Sequence, residues 1–148
     1  MSQVAGIIFS NLNHATNTQL TADRTVAAIP FACRYRLVDF ALSNMVNGDV
    51  SNINIITNYN YRSLNEHIGS GKDWDLARHG AGIRLLSPYQ NGGTAMYQSK
   101  LEALVDVLPS LLSIKEEYVL ICDSDVVCNI DIKDMLVFHQ ENEADITT

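Results

Sequence analysis

The sequence predicts an α/β fold: a mostly parallel, doubly wound sheet with helices on both faces. Three observations carry that expectation. Short apolar runs (Val4 to Phe9, Asn52 to Thr57, Ile83 to Leu86, Tyr118 to Cys122) alternate with stretches of helical period. The first run is continuously apolar, as a strand buried on both faces of a parallel sheet is. With 148 residues, 47% of them hydrophobic, the chain can close one real core and is short for two.

Taken in order, Val4 to Phe9 reads as the first strand. The polar stretch Ser10 to Thr25, rich in asparagine and threonine and without a defensible period, is expected to loop over the sheet edge. The organising segment is Ile29 to Asn47. Pro30 fixes an extended entry. From Arg34 onward Leu37, Phe40, Ala41 and Met45 recur at helical spacing, and Val38, Leu42 and Val46 form a second stripe. A helix this apolar has little face left for water and is expected to lie against the sheet with more packing outside it. Gly48 is expected to stop it in a left-handed conformation.

Asn52 to Thr57 then completes a βαβ unit, and Tyr61 to Ile68 reads as a short helix ended by Gly69 and Gly71. A loop around Trp74, the strand Ile83 to Leu86 and a turn-rich link from Pro88 to Gly93 follow. Thr94 to Leu108 is expected to be a helix with Leu101, Leu104, Val105 and Leu108 toward the core, stopped by Pro109. Tyr118 to Cys122 is the most strand-like segment. Asp131 is placed to cap a helix running to about Asn142, and Ala144 to Thr148 reads as the start of another strand, so the chain is expected to be a truncated piece.

The net charge of −7 argues against a nucleic-acid or anionic-membrane partner. No run approaches a membrane span and the start lacks a signal-peptide pattern, so a cytoplasmic location is expected. Cys33, Cys122 and Cys128 are odd in number and have no metal-type spacing with the histidines; all three are expected to be reduced packing residues.

Ligands of such sheets bind beyond the carboxyl ends of the strands. After the first strand, a phosphate loop would need glycines and a cation. There is no glycine between Gly6 and Gly48, and Arg24 is the only cation of the loop. After the last strand, Asp123 and Asp125 admit two readings, a Mg²⁺ held on substrate phosphates or a simple turn. Gly93 and Thr94 lead into a helix N-terminus that could receive an anion or merely cap the helix. Arg34 and Arg36, on the first turn of a buried helix, are expected to be satisfied by an acidic group; an ion pair with Asp39 is favoured over an anionic effector.

Ile29-Pro-Phe-Ala-Cys-Arg-Tyr-Arg-Leu-Val-Asp-Phe-Ala-Leu-Ser-Asn-Met-Val-Asn47 resembles the Pro-Phe-Gly-Gly-Lys/Arg-Tyr/Phe-Arg-Ile-Ile-Asp-Phe-x-Leu-Ser-Asn segment of bacterial ADP-glucose pyrophosphorylases (glucose-1-phosphate adenylyltransferases). The stretch Tyr61 to Leu76, the Gly93-Thr94-Ala95 turn, Tyr118 to Ile121, Ser124-Asp125 and Asp131 continue the likeness over nearly the whole chain. The resemblance implies a Rossmann-like nucleotidyltransferase domain, of which residues 1–148 would be the N-terminal portion. The rest of that domain and a C-terminal left-handed β-helix would lie outside the chain. Family members join ATP to glucose 1-phosphate with Mg²⁺, giving ADP-glucose and pyrophosphate for glycogen or starch.

The departures bear on function. The family's Gly-Gly-x-Gly-Thr-Arg-Leu becomes Asn11-Leu-Asn-His-Ala-Thr-Asn17, its Arg-Ala-Lys-Pro-Ala becomes Arg24-Thr-Val-Ala-Ala28 with Val26 for the lysine, its Gly-Thr-Ala-Asp ends in Met96, and its Gly-Asp-His becomes Ser124-Asp125-Val126. This pattern is similar to the non-catalytic GlgD-type subunits that stimulate a catalytic GlgC-type partner. It implies no catalytic residue here, a vestigial nucleotide site at Arg24, Gly93 and Thr94, and a vestigial Mg²⁺ position at Asp125. Arg34, Arg36 and Asp39 would serve effector or subunit communication. A hetero-oligomer is expected, with ATP, glucose 1-phosphate, ADP-glucose or an anionic effector as small-molecule ligands. Two further expectations stand beside it: an active sugar-1-phosphate nucleotidyltransferase with a divergent loop, and a sugar-nucleotide sensor.

Overall fold

A computed structural model describes residues 3–10, 19–77, 82–88 and 96–148. Strand β1 (Val4–Phe9) is followed by a small hairpin, β2 (Pro30–Phe31) and β3 (Tyr35–Arg36), which feeds helix α1 (Leu37–Asn47). Then come β4 (Asn52–Ile56), α2 (Arg62–Ile68), β5 (Gly82–Leu86), α3 (Lys100–Leu111), β6 (Tyr118–Asp123) and α4 (Ile132–Glu141). The sheet order is β5-β4-β1-β6, every pair parallel, with Ile7 opposite Asn54 on one side and Ile121 on the other. The chain winds outward from β1 to β5 and then crosses back to place β6 on β1's other flank. The direction therefore reverses between β1 and β6, and helices cover both faces, as the sequence predicts.

The alternation of side chains across the sheet divides the core in two. Ile8, Ile53 and Ile55 pack with Val38, Leu42 and Met45 of α1 and with Leu64, Ile68 and Ile132. On the other face Ile7, Phe9 and Ile56 meet Tyr97, Ala103 and Val107. The central strand needs a glycine here: a Cβ on Gly6 would lie 2.5 Å from the Met45 Sδ, so its absence lets α1 settle onto the sheet.

Several local expectations are corrected. The first helix begins at Leu37 rather than Arg34, because Ala32 and Cys33 turn the hairpin with φ of 45° and 71°. Gly48 ends the helix at φ −82°, and the left-handed residue is Asp49 at φ 61°. The glycine serves close packing instead, since a Cβ there would sit 2.7 Å from the Ile132 Cβ. Residues 96–99 precede α3, and Ser99 caps it by accepting from the Glu102 N–H; Thr94 lies outside the described residues. Pro109 falls inside the helix: its missing N–H frees the Val105 carbonyl near the exposed side, and the helix runs on to Leu111. The core face of α3 is Ala103 and Val107, while Leu101, Val105 and Leu108 are exposed. Residues 144–148 form no strand. They fold back on α4, with the Ala144 N–H donating to the His139 carbonyl (3.2 Å) and the His139 Nδ1 2.7 Å from the Thr147 hydroxyl. Cys33 is exposed at the hairpin tip and is no packing residue, while Cys122 and Cys128 are half-buried thiols.

Among the described residues no helix is long and apolar enough to cross a membrane.

Candidate functional site at the carboxyl ends of the strands

Each parallel strand ends in a small polar residue that is nonetheless buried: Ser10 after β1, Thr57 and Asn58 after β4, Ser87 after β5 and Ser124 after β6. Burial of such groups costs free energy unless they are hydrogen-bonded, so their bonding describes the site. The Ser10 N–H donates to the Ile56 carbonyl (2.9 Å) and the Thr57 N–H to the Leu86 carbonyl (2.9 Å), extending the ladders past the strands. The Ser124 N–H donates to the Phe9 carbonyl (3.0 Å) and its hydroxyl to the Ser10 carbonyl (3.4 Å). These bonds stitch β1 to β6 across the point where the winding reverses. Asn58 plays strand to a loop: its amide accepts from the Tyr97 N–H (2.9 Å) and donates to the Tyr97 carbonyl (3.0 Å). The Tyr97 hydroxyl donates a short bond to Asp106, and its pKa is raised by burial first and by the Asp106 carboxylate second, so it stays a phenol.

Charge enters the crevice from α3. The Lys100 Nζ lies 2.6 Å from both carboxylate oxygens of Asp123 and 5.4 Å from the centroid of the Phe9 ring. Asp123 thus ends β6 as an ion-pair member, an outcome neither the metal nor the turn reading anticipates. Asp125 sits in the turn beyond, exposed, with no hydrogen bond or ion pair among the described residues. A Mg²⁺ ion asks for gathered oxygen ligands. Among the described residues no three His, Cys, Asp or Glu side chains are gathered to hold a metal, and with Asp123 engaged only one carboxylate is left, so these residues do not fit the ion unaided. The thiol of Cys122, on the opposite face of β6 from Asp123, is pushed up to about 12 by burial and secondarily by the Asp123 carboxylate.

The remaining sequence-predicted residues divide. Gly93 and Thr94 lie outside the described residues, as do residues 11–18 of the glycine-free loop. Arg24 is half-buried just before the turn Val26–Ala28, which is tied to β1 by the Ala27 N–H donating to the Ser10 carbonyl (3.4 Å). Beside it the buried Thr25 hydroxyl has no hydrogen-bond partner among the described residues.

Arg34, Arg36 and Asp39 are brought to one end of α1 but not into the expected ion pair. Arg34 is exposed on the hairpin, with its guanidinium donating to the Tyr35 hydroxyl (3.0 Å) and lying 5.0 Å from that ring's centroid. Arg36 reaches α2, donating to the carbonyl (2.6 Å) and hydroxyl (2.8 Å) of Ser63. The buried Asp39 accepts from the Arg36 backbone N–H (2.9 Å), capping α1, and its other oxygen is 2.7 Å from the His67 Nε2. The acidic group is real, but the side chain facing it is the imidazole of His67. The two arginines precede the helix and point away from it, which explains why their side chains find hydroxyls and a carbonyl instead.

Sequence reasoning missed Lys100, Asn58, Tyr97 and His67. Lys100 had a signal: a cation on the first residue of a helix faces the positive end of the dipole and needs a carboxylate from elsewhere. Asn58, Tyr97 and His67 had none, since their partners are long-range in the chain.

A groove of about 800 Å³ also runs along β6, lined by Met45, Leu120, Ile132, Leu136 and Ile146 among others. It is apolar and lies mostly beside the strand rather than beyond its end, so it offers no phosphate chemistry.

The model of the family described as "Nucleotidyl transferase" matches residues 18–148. The chain is also 40% identical over 147 residues to the Glycogen biosynthesis protein GlgD of Bacillus subtilis (strain 168), an alignment covering 99% of this chain and 43% of that protein. It therefore spans less than half the length of this relative. The reversed winding, the ring of polar residues at the strand ends and these two matches agree, and the chain belongs to the nucleotidyl transferase family as a GlgD-type member.

Proposed function

We propose that the chain is part of a regulatory subunit of a glucose-1-phosphate adenylyltransferase of glycogen biosynthesis, impaired in catalysis and working in a hetero-oligomer with a catalytic GlgC-type subunit. One observation carries the reading. The turn Val26–Ala28 is kept beside the end of β1 by the bond to Ser10, while Val26 stands where the resembling enzymes have lysine. The cation that such a site needs is missing at this position. Transfer of a nucleotidyl group needs that charge, since removing one such donor typically costs a hundredfold to a thousandfold in rate, about 3 to 4 kcal/mol. Asp125 alone would leave most of a Mg²⁺ shell to water and substrate phosphates.

The test is pyrophosphate release by the full-length protein, alone and mixed with its catalytic partner. Stimulation of the partner with no turnover alone is expected; turnover alone at the rate of an active family enzyme overturns the reading. The Thr25 hydroxyl, unpartnered among the described residues, favours one further role, residual binding of a sugar nucleotide. Titration of ADP-glucose into wild type and Thr25→Val separates that role from regulation by contact alone, because only bound ligand would lose affinity in the variant.

A further inference from the structure

In a doubly wound sheet the ligand crevice opens where the winding reverses, here between the carboxyl ends of β1 and β6. Phe9 and Asp123 stand opposite each other as the last paired residues of these strands. Three donors at this point are committed inward. The Ser10 N–H serves the Ile56 carbonyl, the Ser124 N–H serves the Phe9 carbonyl, and the Ser124 hydroxyl serves the Ser10 carbonyl. The Lys100 ammonium is held 2.6 Å from both oxygens of Asp123 and lies against the Phe9 ring.

From this we infer that Asp123 is an internal counter-ion that locks Lys100 and keeps the crevice between β1 and β6 from binding the phosphate groups of a nucleotide. Three features support it. An anion approaching Lys100 meets a carboxylate already in place, so it must displace one negative charge while its own is repelled. Lys100 is drawn to Asp123 from the first residue of α3, where the helix dipole disfavours a cation, so its position is set by the carboxylate rather than by the helix. The side chains of Lys100 and Asp123 are 39% and 35% exposed, so solute reaches them and the lock is open to challenge.

The inference rests on the reading that the crevice descends from a nucleotide site, and its test uses binding rather than turnover. MgATP is titrated calorimetrically into the full-length protein as wild type, Asp123→Asn, Asp123→Ala, Lys100→Met and the Asp123→Ala/Lys100→Met double variant, with thermal melts confirming the fold of each. A freed ammonium making one charge-assisted bond to phosphate gives about tenfold or more in affinity. Asp123→Ala, and to a lesser degree Asp123→Asn, should bind MgATP at least about tenfold tighter than wild type. The double variant should lose the gain. Unchanged affinity in both Asp123 variants, or a gain that survives in the double variant, overturns the lock. Tight binding by wild type that Lys100→Met abolishes overturns it too, because the lysine would then already be free for ligand. Turnover by the wild-type subunit would defeat the regulatory reading and leave this outcome to the titration alone.

Discussion

Helices α1 and α3 carry similar apolar periodicity, yet α1 is packed on the sheet and walled by α2 and α4, whereas α3 keeps a bare stripe. Val38 and Leu42 are wholly buried. Leu101, Val105, Leu108 and Leu112, spaced four, three and four apart as in a helix-packing seam, are 71%, 62%, 44% and 77% exposed. The neighbouring strand repeats the contrast, for Val119 and Ile121 share the bare side while Leu120 and Cys122 pack on the other. Period locates apolar stripes but does not rank them. Closest approach does, and it follows the small residues: Gly6 beneath Met45 for α1, Ala103 at the sheet for α3.

The sharpest way to break this comparison is to truncate one leucine on each helix. Leu42→Ala removes a fully buried side chain between the sheet and the rest of the core, and should lower stability by about 2 to 5 kcal/mol in a denaturant melt. A loss below 1 kcal/mol would mean that α1 is not the packed side. The two thiols offer a chemical version of the contrast. Cys33 on the exposed hairpin should be labelled by a thiol reagent before Cys122, whose pKa of about 12 leaves a small thiolate fraction near neutrality. Because only thiolate reacts, labelling of Cys122 should quicken about tenfold per pH unit between pH 8 and 11. A plateau near pH 9 would place the thiol in a more open setting. Sign and stability agree: a thiol whose folded pKa lies above the unfolded value stabilises below about pH 9, and that contribution fades as pH rises toward 12.

At the entrance to α1, Asp39 does two jobs, capping the helix and facing His67. Asp39→Ala should cost about 1 to 3 kcal/mol, since the Arg36 N–H and the imidazole both lose an acceptor. Asp39→Asn should recover the cap and part of that loss. If Arg34→Ala also weakens stimulation of a catalytic partner without shifting the melt, this end of α1 communicates as well as supports.

The same entrance shows what was legible in the sequence. The order of strands and helices, the burial of α1, the cap at Asp131 and the importance of the strand ends follow from period and turn chemistry, because those are local. The pairing of Asp39 with His67, of Lys100 with Asp123 and of Asn58 with Tyr97 joins residues 28, 23 and 39 positions apart. No local pattern encodes such pairs. The hairpin stands between these cases. The resembling segment has glycines where Ala32 and Cys33 stand, and both positions keep positive φ. Ala32 and Cys33 thus hold a left-handed backbone that suits glycine better, at a cost of roughly 1 to 2 kcal/mol per residue before glycine's own entropy is counted. Ala32→Gly and Cys33→Gly should each therefore raise stability, by up to about 1 kcal/mol. Destabilisation by both would show that the strain is relieved by contacts of the Cβ atoms.

The smallest effect tests the bare stripe itself. Leu101 is 71% exposed and Leu112 77%, so replacing either by serine removes little apolar surface from contact and should change stability by no more than about 0.5 kcal/mol. Read beside Leu42→Ala, this is the other arm of the comparison, and its value lies in where it can fail. A loss of 1 kcal/mol or more from Leu101→Ser, in a melt whose midpoint rises with protein concentration, would show the stripe covered by another copy. The same loss without concentration dependence would show it covered within the protein. In either case the seam spacing on α3 would mark packing surface rather than surplus hydrophobicity, and the face of α3 inferred from its period alone would prove to be a second contact face beside the one that Ala103 and Val107 present to the sheet.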